Sequence, residues 1–135
     1  MKAFNRQIIE EFRATKGQLS GRMAGRQVLL LTTKGARTGE PRTAVVGYRK
    51  SGNIFVVIAS GNGAATDPAW YVNLLAHPYA TVEVGPEKLN VRARTVNGKQ
   101  RDKLARVVEY LEPQQKLTSR TIRVVALEPL KSPRA

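Results

Sequence analysis

The residues with the clearest chemical potential stand in the run Leu30 to Thr43. A short apolar stretch there leads into a turn bracketed by Gly35 and Gly39 that displays Lys34, Arg37 and Arg42. Such a turn gathers positive charge and open backbone N–H groups, a combination that holds phosphate or carboxylate. Arginine suits the task because its planar fork meets two anionic oxygens at once. A second group, Ser60-Gly61-Asn62-Gly63, follows the next long apolar run. Its small residues would let a flat ligand approach the backbone, with the Ser60 hydroxyl and the amides at the ligand's polar edge. The third is Trp70, the single tryptophan, just after Asp67-Pro68 and able to wall a ring-binding slot. Each also has an ordinary reading: a solvated hairpin, a flexible loop, a packed aromatic. Neither a GxxxxGK phosphate loop nor a GxGxxG turn before a helix occurs, so the common nucleotide motifs are excluded.

The remaining inventory is narrow. The chain has no cysteine, hence no disulfide, thiolate metal site or cysteine nucleophile. His77 is its only histidine; placed before Pro78, it fits a helix end better than a metal site or a triad, and no metal is expected.

Periodicity supplies the elements that must position these groups. Phe4, Ile8 and Phe12 recur at four-residue spacing beside Ile9, against Arg6, Glu10, Glu11 and Arg13. This predicts an amphipathic helix over residues 3–14 that packs on the fold, covers a pocket or touches a membrane surface. Strands are predicted at Val28–Thr33, Thr43–Arg49, Ile54–Ser60, Thr81–Val84, Leu89–Arg94 and Thr121–Glu128, with hairpin chemistry at Lys50–Asn53. Ile54 to Ala59 is apolar on both faces and should be central, whereas Leu89 to Arg94 alternates, with one face buried and one basic. A short helix is predicted over Ala69–Ala76, capped by Asp67 and ended by Pro78. A longer one is predicted over Lys99–Leu111, carrying Leu104, Val107, Val108 and Leu111 and stopped by Pro113. The class is α+β. About six strands paired as a meander would close a small barrel, because closure removes the sheet edges. Residues 1–135 form one domain, in which 1–25 are the N-terminal helix and its connection.

A net charge of +13, from 23 basic and 10 acidic residues, favours an anionic partner: nucleic acid, acidic lipid or a polyanionic cofactor. No apolar run is long enough to span a membrane, and the N-terminus lacks a secretory pattern. A cytoplasmic location is expected, with peripheral membrane contact through the N-terminal helix as a second option.

Four segments in order, Leu31–Arg42, Val57–Ser60, Pro68–Leu74 and Thr118–Val124, resemble the deazaflavin-dependent nitroreductase and quinone reductase family, actinobacterial enzymes that use coenzyme F420. The resemblance extends from about Val28 to Pro129 and implies a split β-barrel of mostly antiparallel strands. It implies that Ala36, Arg37, Thr38, Arg42, Thr43, Ala44, Val45, Val46 and Gly47 hold the cofactor's phosphate and acidic tail. Ile58, Ala59, Ser60 and Gly61, with Ala69, Trp70, Tyr71, Val72 and Asn73, would cradle the deazaflavin ring. The implied activity is hydride transfer from reduced F420 to a quinone, an activated alkene or a nitroaromatic, with Ser60 and Tyr110 polarising the acceptor or relaying a proton. Family members commonly carry a basic residue where Ala36 and Gly61 stand, and a tyrosine-rich segment where this chain has Tyr110–Gln115 with one tyrosine. From the charge alone, the rival is a non-enzymatic basic barrel that binds nucleic acid over the Arg92 and Arg94 face. A third reading is a split barrel holding flavin mononucleotide or haem.

Overall fold

The computed structural model describes residues 2–130, with the side chains of residues 2–5 and 62 outside the description. Its elements are α1 (Lys2–Thr15), β1 (Val28–Lys34), β2 (Pro41–Gly47), β3 (Arg49–Ser51), β4 (Ile54–Ile58), α2 (Ala69–Ala76), β5 (Tyr79–Val84), β6 (Glu87–Val96), α3 (Gly98–Ala105), α4 (Leu111–Gln115) and β7 (Val124–Pro129). Short 3-10 turns occupy Gly21–Met23 and Gly61–Gly63.

All pairings in the seven-stranded sheet are antiparallel, in the order β2-β1-β5-β6-β7-β4-β3. The two strands at opposite ends of that order, β2 and β3, are separated in the chain by Tyr48 alone. Two trans-peptide steps span at most about 7.6 Å, so the sheet curls until its ends meet at this residue. The expected strand Thr43–Arg49 is therefore two strands. The Tyr48 N–H donates to the Gln27 carbonyl at 3.2 Å, one step beyond the last β1–β2 pair, and its ring packs edge-on against Phe55 at 5.6 Å.

The pairing is not the expected meander. Hairpins join β1 to β2, β3 to β4 and β5 to β6, as their short connections require, but β1 also takes β5 and β4 takes β7. Two-residue loops with a positive-φ glycine at the first position close two of these hairpins, at Gly52-Asn53 and Gly85-Pro86.

β4 is apolar on both faces because it serves two cores. Phe55 and Val57 face one cluster with Leu29, Leu31, Val82 and Leu127, while Val56 and Ile58 face another with Leu104, Val108, Ile122 and Val124. α1 lays Ile8 and Phe12 into buried positions and ties itself to β5 through Arg13–Glu83 at 2.9 Å. Phe4, expected on the same face, lies outside the described side chains. The end of α1 comes so close to the β5–β6 loop that a Cβ on Gly17, at φ +94°, would meet the Gly85 Cα at 3.0 Å. No described helix is long and apolar enough to cross a membrane.

Three local expectations change. The helix predicted over Lys99–Leu111 ends early, with α3 stopping at Ala105 and α4 beginning only at Leu111, and Pro113 lies inside α4 instead of stopping a helix. It occupies the first turn, where a missing N–H costs no intrahelical bond. Asp67 does not cap α2: Pro68 is the N-cap residue, without a side-chain bond, and Asp67 accepts from Arg120 at 3.0 Å. The last strand begins at Val124, not Thr121, although the Arg123 carbonyl still accepts from the Ala59 N–H at 2.9 Å. The helix Ala69–Ala76 stands as expected, and the His77 backbone N–H closes it on the Asn73 carbonyl at 2.8 Å.

Candidate functional site

The β1–β2 turn is built to hold its cations outward. Inside it, the Gly35 N–H donates to the Glu40 carbonyl at 2.8 Å and the Gly39 N–H to the Gly35 carbonyl at 2.9 Å. A Cβ on Gly35 would come 3.0 Å from the Thr38 hydroxyl and 3.2 Å from the Glu40 carbonyl, so a side chain there would press on the closed turn. α2 pins the turn from below. The buried Asn73 accepts the Ala36 N–H on its Oδ1 at 2.9 Å and donates its Nδ2 to the Thr33 hydroxyl at 3.0 Å. Four of the turn's amides are thus engaged, at Gly35, Ala36, Gly39 and Glu40, the last to the Thr38 hydroxyl at 3.2 Å. The amides of Arg37 and Thr38 remain as open donors among the described residues. Lys34, Arg37 and Arg42 are exposed, and none has a carboxylate within ion-pair distance among the described residues.

Two clefts meet along β2. One, of about 510 Å³, is bounded by the β1–β2 turn from Gly35 to Thr38, by Arg42, Thr43 and Ala44, and by Ala69, Trp70, Val72 and Asn73 of α2. The other, of about 750 Å³, continues past Val45, Val46 and Gly47 to Ile58, Ser60 and Gly61, with Met23, Gln27, Arg49, Tyr110 and Gln114 on its far walls. The half-buried Trp70 borders both, its ring set edge-on to Tyr71 at 6.3 Å. At 3.4 Å per residue the trough from Arg42 to Gly47 runs about 17 Å. Arg37 and Arg42 stand at one end, and in the larger cleft Trp70, Val46 and Ile58 are joined by polar Arg26, Arg49, Ser60, Tyr110 and Gln114.

Of the residues expected to hold a cofactor, sixteen border these clefts and two do not. Ala59 is fully enclosed in the core, and Tyr71 is buried with its hydroxyl in a 2.8 Å hydrogen bond to Thr95. Both neighbour cleft residues in sequence but turn to the other face of their strand or helix.

The glycine loop is shaped by Arg120, which sequence reasoning did not single out. Its guanidinium donates to the carbonyls of Ser60 at 2.8 Å and Ala64 at 2.9 Å and pairs with Asp67. Nothing local marks this role, because its partners lie more than fifty residues away.

Tyr110 reaches the larger cleft from just before α4. Arg49 stacks its guanidinium on the Tyr110 ring, 4.9 Å from the centroid. The same Arg49 grips Glu109 with both Nε, at 3.0 Å, and Nη2, while its Nη1 donates to the Tyr48 carbonyl at 2.8 Å. Burial pushes the Tyr110 phenol above its ordinary 10.0, with Arg49 opposing the shift and Glu109 adding to it. Its hydroxyl is buried without a hydrogen-bond partner among the described residues, and so is the Gln114 Oε1. Arg49 and Gln114 were not foreseen: a salt bridge across the barrel and an unpartnered atom leave no periodic trace.

The arrangement suits a long ligand with an anionic tail and a flat polar-edged ring. The buried Tyr110 hydroxyl and Gln114 Oε1 are groups that such a ring edge would satisfy. The nucleic-acid face predicted on β6 is weaker than the sequence suggests, because Arg94 is engaged by Glu128 at 3.0 Å and by Gln100 at 2.7 Å.

Comparison with known proteins agrees with this geometry. The family model described as F420H(2)-dependent quinone reductase matches residues 4–129. A relative from Mycobacterium tuberculosis strain H37Rv, the F420H(2)-dependent quinone reductase Rv1261c, is 38% identical over 86 residues. That match covers 63% of this chain and 58% of the relative, little more than half its length. The putative F420H(2)-dependent quinone reductase Rv3178 of the same strain is 31% identical over 105 residues, covering 75% of this chain and 88% of the relative. A solved structure of an F420-H2 dependent reductase, FDR-A, superposes with a TM-score of 0.70 at 28% identity, covering 76% of this chain and 95% of the other. With the family model spanning nearly all of the described fold, the chain belongs to the F420H(2)-dependent quinone reductase family.

Proposed function

We propose that this protein transfers a hydride from reduced coenzyme F420 to an electron-poor acceptor, foremost a quinone, with activated alkenes and nitroaromatics in the same electronic class. The observation that carries the proposal is the pair of clefts along β2 with Trp70 on both, the smaller bearing the unpaired Arg37 and Arg42 and the larger bearing Ser60, Tyr110 and Gln114. The coenzyme, when bound, supplies the hydride; the protein supplies position and polarity.

Arg37, Arg42 and the open amides of Arg37 and Thr38 hold the anionic tail. Trp70, Val46 and Ile58 exclude water from the ring and set its plane. Ser60 and Gly61 lie at the ring edge, where the loop is kept in place by Arg120. The Tyr110 phenol, pushed up by burial, stays protonated through neutral pH and donates to the acceptor oxygen as it gains negative charge. α1 commits Ile8 and Phe12 to the sheet, so we assign it a packing role in a cytoplasmic enzyme in preference to a lipid-facing one.

Titration of the purified protein with oxidised F420, followed through Trp70 fluorescence, tests the reading. Saturable quenching at micromolar cofactor is expected; none at those concentrations would refute it.

A further inference from the structure

Gln114 and Gln115 are neighbours with opposite fates. The Gln115 carboxamide is committed to the fold: its Nε2 donates to the Arg120 carbonyl at 2.7 Å and its Oε1 accepts from the Ile122 N–H at 2.9 Å. The Gln114 Oε1 is equally buried and has no donor among the described residues. A buried acceptor without a donor destabilises the folded state, and a ligand that brings the donor is one reason for a site to keep it. Gln114 borders the larger cleft beside Tyr110, whose hydroxyl is the other buried polar atom in the same condition. The Gln114 N–H donates to the Tyr110 carbonyl at 3.2 Å, so the two side chains leave one helical face a turn apart. Arg49 fixes the tyrosine ring from behind.

We propose that Gln114 selects the electron acceptor, resting on the reductase reading above. Tyr110 donates to the carbonyl oxygen under reduction, and the Gln114 Oε1 accepts an N–H or neutral O–H carried next to that carbonyl. The favoured class is a quinone bearing such a donor beside its reducible carbonyl. A quinone with only alkyl substituents satisfies Tyr110 and leaves Gln114 unpartnered.

The test compares an aminonaphthoquinone, its amine beside a carbonyl, with a methylnaphthoquinone, in wild type and Gln114→Met. The amine lowers the ring's intrinsic reactivity, so the informative quantity is the change between proteins, in which reactivity cancels. Gln114→Met is expected to raise KM for the amino compound about fivefold more than KM for the methyl compound. A second readout needs no turnover. Without ligands the variant should melt at or above wild type, and the aminonaphthoquinone should raise the melting temperature of wild type but not of the variant. Equal KM changes for both quinones, with F420 binding intact, would overturn the inference and leave the reductase reading standing. A variant that melts well below wild type would overturn it too, by showing that Oε1 serves the fold. Failure of wild type to bind F420 would remove both readings together.

Discussion

Asn73 offers the sharpest test of how this fold builds an anion site. Its carboxamide links α2 to the β1–β2 hairpin as both donor and acceptor, to Thr33 of β1 and from Ala36 of the turn. Asn73→Ala removes both bonds. The Thr33 hydroxyl keeps the Arg42 carbonyl at 3.5 Å, whereas the Ala36 N–H is left with no partner in a half-buried place. Losing two hydrogen bonds and stranding one amide costs about 2–3 kcal/mol. At about 4 °C per kcal/mol for a domain of this size, the melting temperature should fall by about 10 °C, which a domain with 5–15 kcal/mol of stability survives. Binding should suffer further. With the turn released, the cofactor must itself order Ala36 and Arg37, at about 1–2 kcal/mol per residue, so the F420 dissociation constant should rise tenfold or more. Asn73→Asp keeps an acceptor for Ala36, loses the donor to Thr33 and adds a negative charge near Arg37; it should be less destabilised than the alanine variant yet bind F420 poorly. Thermal unfolding with fluorescence titration of the same samples measures both effects. A melting point within 2 °C of wild type together with unchanged affinity would refute the clamp.

Three other outcomes follow from the same geometry. Arg37→Ala and Arg42→Ala should each weaken F420 binding about five- to tenfold at low salt and by much less at high salt, because exposed charges are screened; equal losses at both would refute a charge-based tail site. Tyr110→Phe should lower turnover about a hundredfold without lowering the melting temperature at neutral pH, since the hydroxyl has no partner to lose. Because burial raises the folded-state phenol above its ordinary 10.0, wild-type stability should decline as pH climbs past that value, and the phenylalanine variant should lack this component. Gly47→Ala introduces a Cβ 3.3 Å from the Tyr110 hydroxyl at a residue without positive φ, so steady-state kinetics should show a loss of turnover with little loss of stability.

Local chemistry was legible in the sequence and long-range partnership was not. The hairpin at Gly52-Asn53, the helix Ala69–Ala76 and the two-faced strand β4 follow from turn residues and apolar spacing, which act over a few residues. The pairing of β1 with β5 and of β4 with β7 has no such signature, because closure of a curled sheet is decided by which remote strands fill the gap. Tyr48 looks like an ordinary strand residue until the two sheet ends must meet there. Asp67 and Pro113 each carried a sound local signal that tertiary context reassigned: Arg120 took the carboxylate, and the first turn of α4 accommodated the proline. In the site, Arg37, Arg42 and Trp70 could be singled out by charge or rarity. Ala59 and Tyr71 were drawn in by adjacency to cleft residues, since a motif does not tell which face each member presents. Gln114 escaped because its significance lies in a missing partner.

The placement of cations around the clefts bears on the partners that net charge alone left open. Arg13, Arg49, Arg94 and Arg120 are engaged in ion pairs, each fastening one element to another: α1 to β5, β3 to the segment before α4, β6 to β7, and the glycine loop to the segment before β7. Arg37 and Arg42 stand together at the smaller cleft without such partners among the described residues, while Lys34 borders a separate cleft with Tyr79 and Thr81. Nucleic acid presents a phosphate at every step of the strand, so a binder of that class needs cations repeated along its groove. Here Arg37 and Arg42 stand at one end, and the stretch to Gly47, about 17 Å long, is bordered by Val45, Val46, Ile58 and Trp70 together with Arg26 and with Arg49, which Glu109 already holds. Paired arginines fasten the fold, and the unpaired Arg37 and Arg42 beside Trp70 suit the proposed ligand, anionic at its tail and planar at its head.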